Sequence, residues 1–179
     1  MVRKAIAGVL LGLSAFVGFA AHAQDRAPDL TAALVDVGGN PAGNIDIYVA
    51  ANGLLLRATF TGIDAGVHGF HIHQTGLCEA PPRLRPEDPL PFRSAGSHLN
   101  PDAKQHGFLN DAGPHAGDLP NIIIPETGEV TVDLFVPGLD PSTLMDADGA
   151  AFILHAGADD YTTDTTGGAG GRIACGVIH

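Results

Sequence analysis

Imidazole is the side chain best suited to copper, zinc and iron, and this chain of 179 residues carries nine of them. Six (His71, His73, His98, His106, His115 and His155) fall, with Asp118, within less than half of its length. Together they read as two metal sites sharing one ligand. His71 and His73 are two apart in a strand-like run, so both rings leave one face of the strand. His155 closes the run Phe152-Ile153-Leu154-His155 and can approach the same face from across a sheet. These three imidazoles stay open to a further ligand, which suits copper. His98, His106, His115 and Asp118 form a closed set of three imidazoles and a carboxylate, which suits tetrahedral zinc. An imidazole has two nitrogens. Stripped of both protons, His98 can bind one metal through each and complete both sets. His68 points to the opposite face from His71 and reads as a packed, hydrogen-bonded structural histidine, while His22 and His179 fall outside the cluster.

The elements that must hold these ligands are short strands. Apolar runs occur at Thr31–Val37, Ile45–Ala50, Leu54–Phe60, Val67–His73, Asn121–Ile124, Glu129–Val136, Ala150–His155 and Arg172–Ile178. Ile45, Ile47 and Val49 alternate toward one face, as do Val130, Val132 and Leu134. Asn52-Gly53 is a hairpin signal. No segment sustains a helical period. Eight such strands with Gly and Pro turns predict an all-β sandwich or small, flattened barrel. Two stretches interrupt it: Gln74 to Asp118, which holds three of the histidines, and Ala156 to Gly171. Long structureless loops in a compact domain are functional or disordered. Here metal bonds can offset the entropy of ordering them.

The first residues read as a leader. Met1–Lys4 is basic, Ala5–Ala20 is apolar, and Ala21-His22-Ala23 is a small-residue cleavage signal. The apolar run is shorter than the roughly 20 residues of a membrane span. Residues 1–23 are thus expected to be a signal peptide and 24–179 one exported domain. Loss of Arg3 and Lys4 takes the formal charge from −11 to −13, which argues against nucleic acid and anionic membrane as partners. In an oxidising compartment Cys78 and Cys175 would form a disulfide by default, with a metal thiolate pair or two free thiols as alternatives. Closing a loop of roughly 100 residues is worth on the order of 4–5 kcal/mol in the chain-entropy model.

At this point the chain resembles the Cu/Zn superoxide dismutases of the bacterial exported kind. The matching stretches are Gly66-Val-His-Gly-Phe-His-Ile-His73, Gly96-Ser-His-Leu-Asn-Pro101, Pro114-His-Ala-Gly-Asp-Leu-Pro-Asn121, His155-Ala-Gly-Ala-Asp-Asp160 and Gly170-Gly-Arg-Ile-Ala-Cys-Gly-Val-Ile178. The resemblance implies an eight-stranded Greek-key β-sandwich with two long functional loops. It also implies dismutation of superoxide to dioxygen and hydrogen peroxide, by alternate reduction and reoxidation of a copper ion. His71, His73, His98 and His155 resemble the copper ligands. His98, His106, His115 and Asp118 resemble the zinc ligands, with His98 as the bridge. Asp159 resembles the carboxylate that holds one histidine of each site, and Arg172 the arginine that receives the anion. Cys78 and Cys175 resemble the family disulfide, and Asp160 reads as a solvated or a turn residue.

One copper and one zinc per chain are implied, with superoxide as the small-molecule partner. The mature chain is not expected to insert in a membrane, a homodimer is left open, and the periplasm is the expected destination. Gln74 stands where the family often has an acidic residue, and Pro81, Pro82, Pro86, Pro89 and Pro91 mark an insertion. The second loop contains Asp159, Asp160 and Asp164 but no lysine or arginine, although an anionic substrate needs a local positive funnel. Arg83, Arg85, Arg93, Lys104 and Arg172 are the available cations. Lys104, between His98 and His106, is the candidate to share steering with Arg172. The rival reading is a non-enzymatic copper and zinc binding or buffering protein on the same scaffold.

Overall fold

Alternation of apolar and polar residues carries most of the chain into antiparallel strands. The computed structural model describes residues 26–82, 85, 87 and 90–179, so the leader 1–23 and Arg83 lie outside the described residues. The strands are β1 Leu30–Asp36, β2 Pro41–Ala50, β3 Gly53–Thr61, β4 Gly66–His68, β5 Phe70–His73, β6 Ile122–Ile124, β7 Glu129–Pro137, β8 Ala151–His155 and β9 Arg172–Val177. One four-residue helix, α1 Pro141–Leu144, is capped by Asp140, whose side chain accepts from the Ser142 N–H. A 3₁₀ turn spans Arg93–Ala95.

Each of the eight expected runs contains strand. Among the described residues there are nine strands, because Val67–His73 divides at Gly69. Gly69 donates its N–H to Gly157 and its carbonyl accepts from His155 at the end of β8, so its bonds go to the β8 side and none to β6. A β-carbon there would lie 2.7 Å from that of Ala169. β4 therefore pairs with β6 in a small sheet, while β5 joins the large one in the order β5-β8-β9-β1-β2-β3-β7. The hairpin between β2 and β3 turns through Ala51-Asn52, since Ala50 faces Gly53. Gly53 belongs to the strand, at φ +147, where the Val136 carbonyl leaves no space for a side chain.

The large sheet curls around one core. Leu34, Ile45, Ile47, Leu54, Leu56, Phe60, Phe70, Ile72, Phe152 and Leu154 are buried in it, and Val49, Val130, Val132 and Leu134 pack against it. Every residue of β8 is buried. Phe152 and Leu154 face the main core; Ala151 and Ile153 face a second, smaller one with Phe92, Ala95 and Cys175. That second core fastens the proline-rich insertion to the outside of the sheet, helped by the Cys78–Cys175 disulfide with a Cα–Cα distance of 5.7 Å.

β5 lies at an edge of the large sheet, and the long loop takes up its free backbone groups. The Ile72 N–H donates to Gly117 at 2.8 Å, and its carbonyl accepts from Leu99 at 2.9 Å. These contacts set His71 opposite Asp118 and His73 opposite His98. Gly117 is obligatory there, because a β-carbon would collide with the Ile72 carbonyl oxygen and lie 2.9 Å from the Leu99 nitrogen. Gly117→Ala is expected to cost about 1–3 kcal/mol, the usual penalty of overpacking, and to lower zinc retention. Urea denaturation and metal analysis of the purified variant test this; unchanged values of both would show that the loop does not depend on this close approach.

Candidate metal centre

Register places the ligands. His71 faces Ile153 and His73 faces Ala151 across the β5–β8 ladder, so both rings share the outer face with His155, two residues beyond Ile153. The loop adds His98 and Asp118 through the bridges at β5. All six histidines and Asp118 are buried. The His71 and His98 rings stack with centroids 4.0 Å apart, and His98 lies 5.0 Å from His73, 5.2 Å from His106 and 5.4 Å from His115.

Four buried ring nitrogens have no hydrogen-bond partner among the described residues: His71 Nδ1, His73 Nε2, His98 Nε2 and His155 Nε2. Buried polar atoms are normally satisfied. Four lone pairs on one set of rings, each residue offering an atom within 4.8 Å of the others, match the donor set of a copper ion. The opposite nitrogens are held. His71 Nε2–H donates to Asp159 Oδ2 at 2.7 Å, His73 Nδ1–H to the Gly96 carbonyl at 2.9 Å and His155 Nδ1–H to the Gly170 carbonyl at 3.2 Å. These bonds fix each tautomer so that its free lone pair points inward.

The remaining nitrogen of His98 faces a second centre. His98 Nδ1, His106 Nδ1 and His115 Nδ1 lie 2.9, 3.0 and 3.2 Å from Asp118 Oδ1, and the His98 and His115 nitrogens are 3.4 Å apart. Ligands about 2.0 Å from a tetrahedral zinc sit roughly 3.3 Å from one another, so these atoms fit the ion. His106 also places Nε2 at 3.0 Å from Asp159 Oδ1. A neutral imidazole has a single N–H and cannot donate to both carboxylates. A cation between Nδ1 and Asp118 resolves this. His71 also falls within the 4.8 Å grouping of His98, His106 and Asp118, but its Nε2 is taken by Asp159 and its free Nδ1 belongs with the first set.

The two carboxylates are built for this. Burial alone would raise the Asp118 carboxyl, but bonds from His98 and from the Gly107 and His115 N–H groups outweigh it and hold it well below the usual range. Asp159 is likewise lowered to about 2, against burial, by His71, His106 and the Tyr161 N–H. Burial pushes His98 down to about 4 against the pull of Asp118, and pushes His155 down to about 3. Burial and then the Arg172 charge hold His73 well below its ordinary value. At neutral pH His73, His98 and His155 therefore keep their lone pairs, and Asp118 and Asp159 their charge.

Some supporting groups carry no sequence signal. Asn121 and Asp159 exchange bonds, the Asn121 Nδ2–H to the Asp159 carbonyl and the Asp159 N–H to Asn121 Oδ1. The Tyr161 hydroxyl accepts from the Asn121 N–H, and Asp164 accepts from the His106 N–H. Gly167 leaves room for the Asp159 carboxylate and lies against His106. As expected, Asp160 is a turn residue, accepting from Thr162 and Thr163, and His68 is packed, with Nδ1 2.8 Å from the His155 carbonyl. Arg172 lies opposite His155 at an irregularity of the β8–β9 ladder and donates to the Phe92 and Gly96 carbonyls at 2.6 and 2.7 Å. Lys104 is exposed. It lines a cavity of about 390 Å³ with Gln74, His98, His115, Asp164 and Arg172.

A curled antiparallel sheet carrying a four-histidine copper site and a histidine–aspartate zinc site, joined through His98, defines a copper–zinc redox protein. Known proteins agree. The family described as copper/zinc superoxide dismutase (SODC) matches residues 41–178. Superoxide dismutase [Cu-Zn] 2 of Aquifex aeolicus is 36% identical, over 98% of this chain and 99% of that protein. Among solved structures, a SOD-like protein from Bacillus subtilis aligns at 38% identity with a TM-score of 0.71, over 82% of this chain and 96% of the other. The Cu/Zn superoxide dismutase from Brucella abortus aligns at 28% identity and 0.69, over 83% and 98%. The chain belongs to the copper/zinc superoxide dismutase family.

Acid has a calculable effect on the metal-free protein. Unfolded histidine takes up a proton near 6.5, whereas in the fold His98 does so near 4 and His155 near 3. Between those values the unfolded chain binds more protons, so lowering the pH favours unfolding. The metal-free protein should lose stability steadily as pH falls from about 6.5 to about 4, and go on losing it below that, where unfolded Asp118 and Asp159 take up protons that their lowered folded carboxyls refuse. A urea midpoint that stays flat across this window would contradict the assignment of these rings as buried and neutral.

Proposed function

We propose that this protein is an exported superoxide dismutase in which His115 completes the zinc set and Arg172 receives the substrate beside the copper ligands. The observation that carries the reading is the set of four unpartnered buried nitrogens next to a guanidinium held at two carbonyls. Bound copper supplies a one-electron couple, while zinc adds fixed positive charge without redox chemistry. Two superoxide anions and two protons give one dioxygen and one hydrogen peroxide.

The chain's own groups bind, orient and protonate. Arg172 is always charged and has five N–H donors, of which the Phe92 and Gly96 carbonyls take two. Those remaining can hold a small anion. Gly96 also accepts from His73, so one oxygen orients both the anion receptor and a metal ligand. His98 Nε2 is the atom that can hold the proton given to the second superoxide, since its other nitrogen faces the zinc set. Asp159 fixes His71 and His106 together, which supports its role as the carboxylate serving both centres.

The rival reading, a metal buffer, has no use for an oriented arginine beside the copper nitrogens. Export is supported by the disulfide, which persists in oxidising compartments, and by the leader read at residues 1–23. No helix among the described residues is long and apolar enough to cross a membrane.

Metal analysis with a superoxide assay separates the two readings. The expected result is about one copper and one zinc per chain, with turnover abolished by copper removal and restored by copper. Full loading without turnover would leave the buffer. Lys104 lines the cavity leading to His98 and Arg172, which supports a share in steering. Lys104→Ala should lower kcat/KM at low ionic strength and flatten its salt dependence. If rate and slope both match the parent, Lys104 is only a solvated side chain.

A further inference from the structure

The cations of this acidic chain are not evenly spent. Among the described residues, Arg26 pairs with Asp29, Arg57 with Asp133 and Arg85 with Glu87. Arg93, Lys104 and Arg172 have no carboxylate partner among the described residues. All three line cavities that flank the copper ligands. Lys104 shares its cavity with Asp164. Arg93 does not share that handicap: with Leu90, Pro91, Gly170, Gly171 and Arg172 it lines a separate depression of about 360 Å³, with no carboxylate among the described lining residues.

This second depression is tied closely to the metal centre. Its Gly170 carbonyl accepts from His155, and the second guanidinium on its wall, Arg172, shares the Gly96 carbonyl with His73. A β-carbon on Gly171 would meet no atom within 4 Å, so that wall is open to solvent. The two arginines also feel each other. Burial first, and the charge of Arg93 after it, hold the Arg172 pKa below the ordinary arginine value. Two like charges around one depression repel unless an anion lies between them. Arg93 is exposed while Arg172 is half-buried, which gives the pair an outer and an inner member.

We propose that Arg93 is the outer half of a two-arginine receptor for superoxide, capturing the anion at the rim of the depression and delivering it to Arg172. This rests on the reading of the protein as a superoxide dismutase. It puts the missing funnel between the insertion before His98 and the glycine end of the second loop, which brings no carboxylate to the described lining.

The test is kcat/KM of the metal-loaded protein against ionic strength, for the parent, Arg93→Gln and Arg93→Lys. Arg93→Gln should be roughly threefold slower at low salt, with a shallower salt slope, and converge on the parent at high salt. Arg93→Lys keeps the charge and should keep the slope, which separates steering from a structural role. A parental slope in Arg93→Gln overturns the proposal. If the loaded parent turns over no superoxide, the functional reading fails, and calorimetric titration with inorganic phosphate decides the receptor. Affinity several-fold weaker in Arg93→Gln than in the parent supports it; equal affinities, or no binding by the parent, overturn it.

Discussion

Ile72 gives both of its backbone groups to the long loop, its N–H to Gly117 and its carbonyl to Leu99. Everything in the metal centre depends on that exchange. The strand itself provides only His71 and His73. The loop's backbone, docked on the same edge, carries His98 to His73 and Asp118 to His71. An edge strand with unpaired groups is ordinarily a hazard. Here the unpaired edge is the template on which a segment without strand character is ordered. The second core under Phe92 and the Cys78–Cys175 bond fasten the same loop at its other end.

Two carboxylates then divide the work of alignment. Asp118 collects the Nδ1 atoms of three histidines around one oxygen and uses the other to hold the Gly107 and His115 N–H groups. Asp159 reaches both centres, one oxygen toward His71 and one toward His106. Both stay ionised although burial works against it, because donors outnumber what desolvation removes. His73, His98 and His155, by the same burial, stay neutral. The site therefore holds its lone pairs ready at neutral pH.

How far this was legible in the sequence depends on the kind of interaction. His71 and His73 were readable because strand side chains alternate, and the eight runs gave the strands because alternation is local. The division at Gly69 was not, since it follows from its bonds to Gly157 and His155, far along the chain. Likewise Asn52-Gly53 marked a hairpin, but Gly53 was needed for the close approach of β7 rather than for the turn. The ligands in the loop could be counted and matched to a family, while their docking on Ile72 could not be inferred, because backbone hydrogen bonds leave no trace in residue type. Asn121, Tyr161 and Asp164 were invisible for a related reason: their roles lie in contacts with residues tens of positions away.

Gly96 sits at φ 75, ψ −152, a conformation that favours glycine, and its carbonyl oxygen serves Arg172 and His73 at once. Two groups hung from one atom share its displacements. When the loop breathes, guanidinium and imidazole are carried in the same direction, and the gap between them varies less than the position of either. The distance that matters to a diatomic substrate is thus tied to a common oxygen as well as to the strands that carry Arg172 and His73.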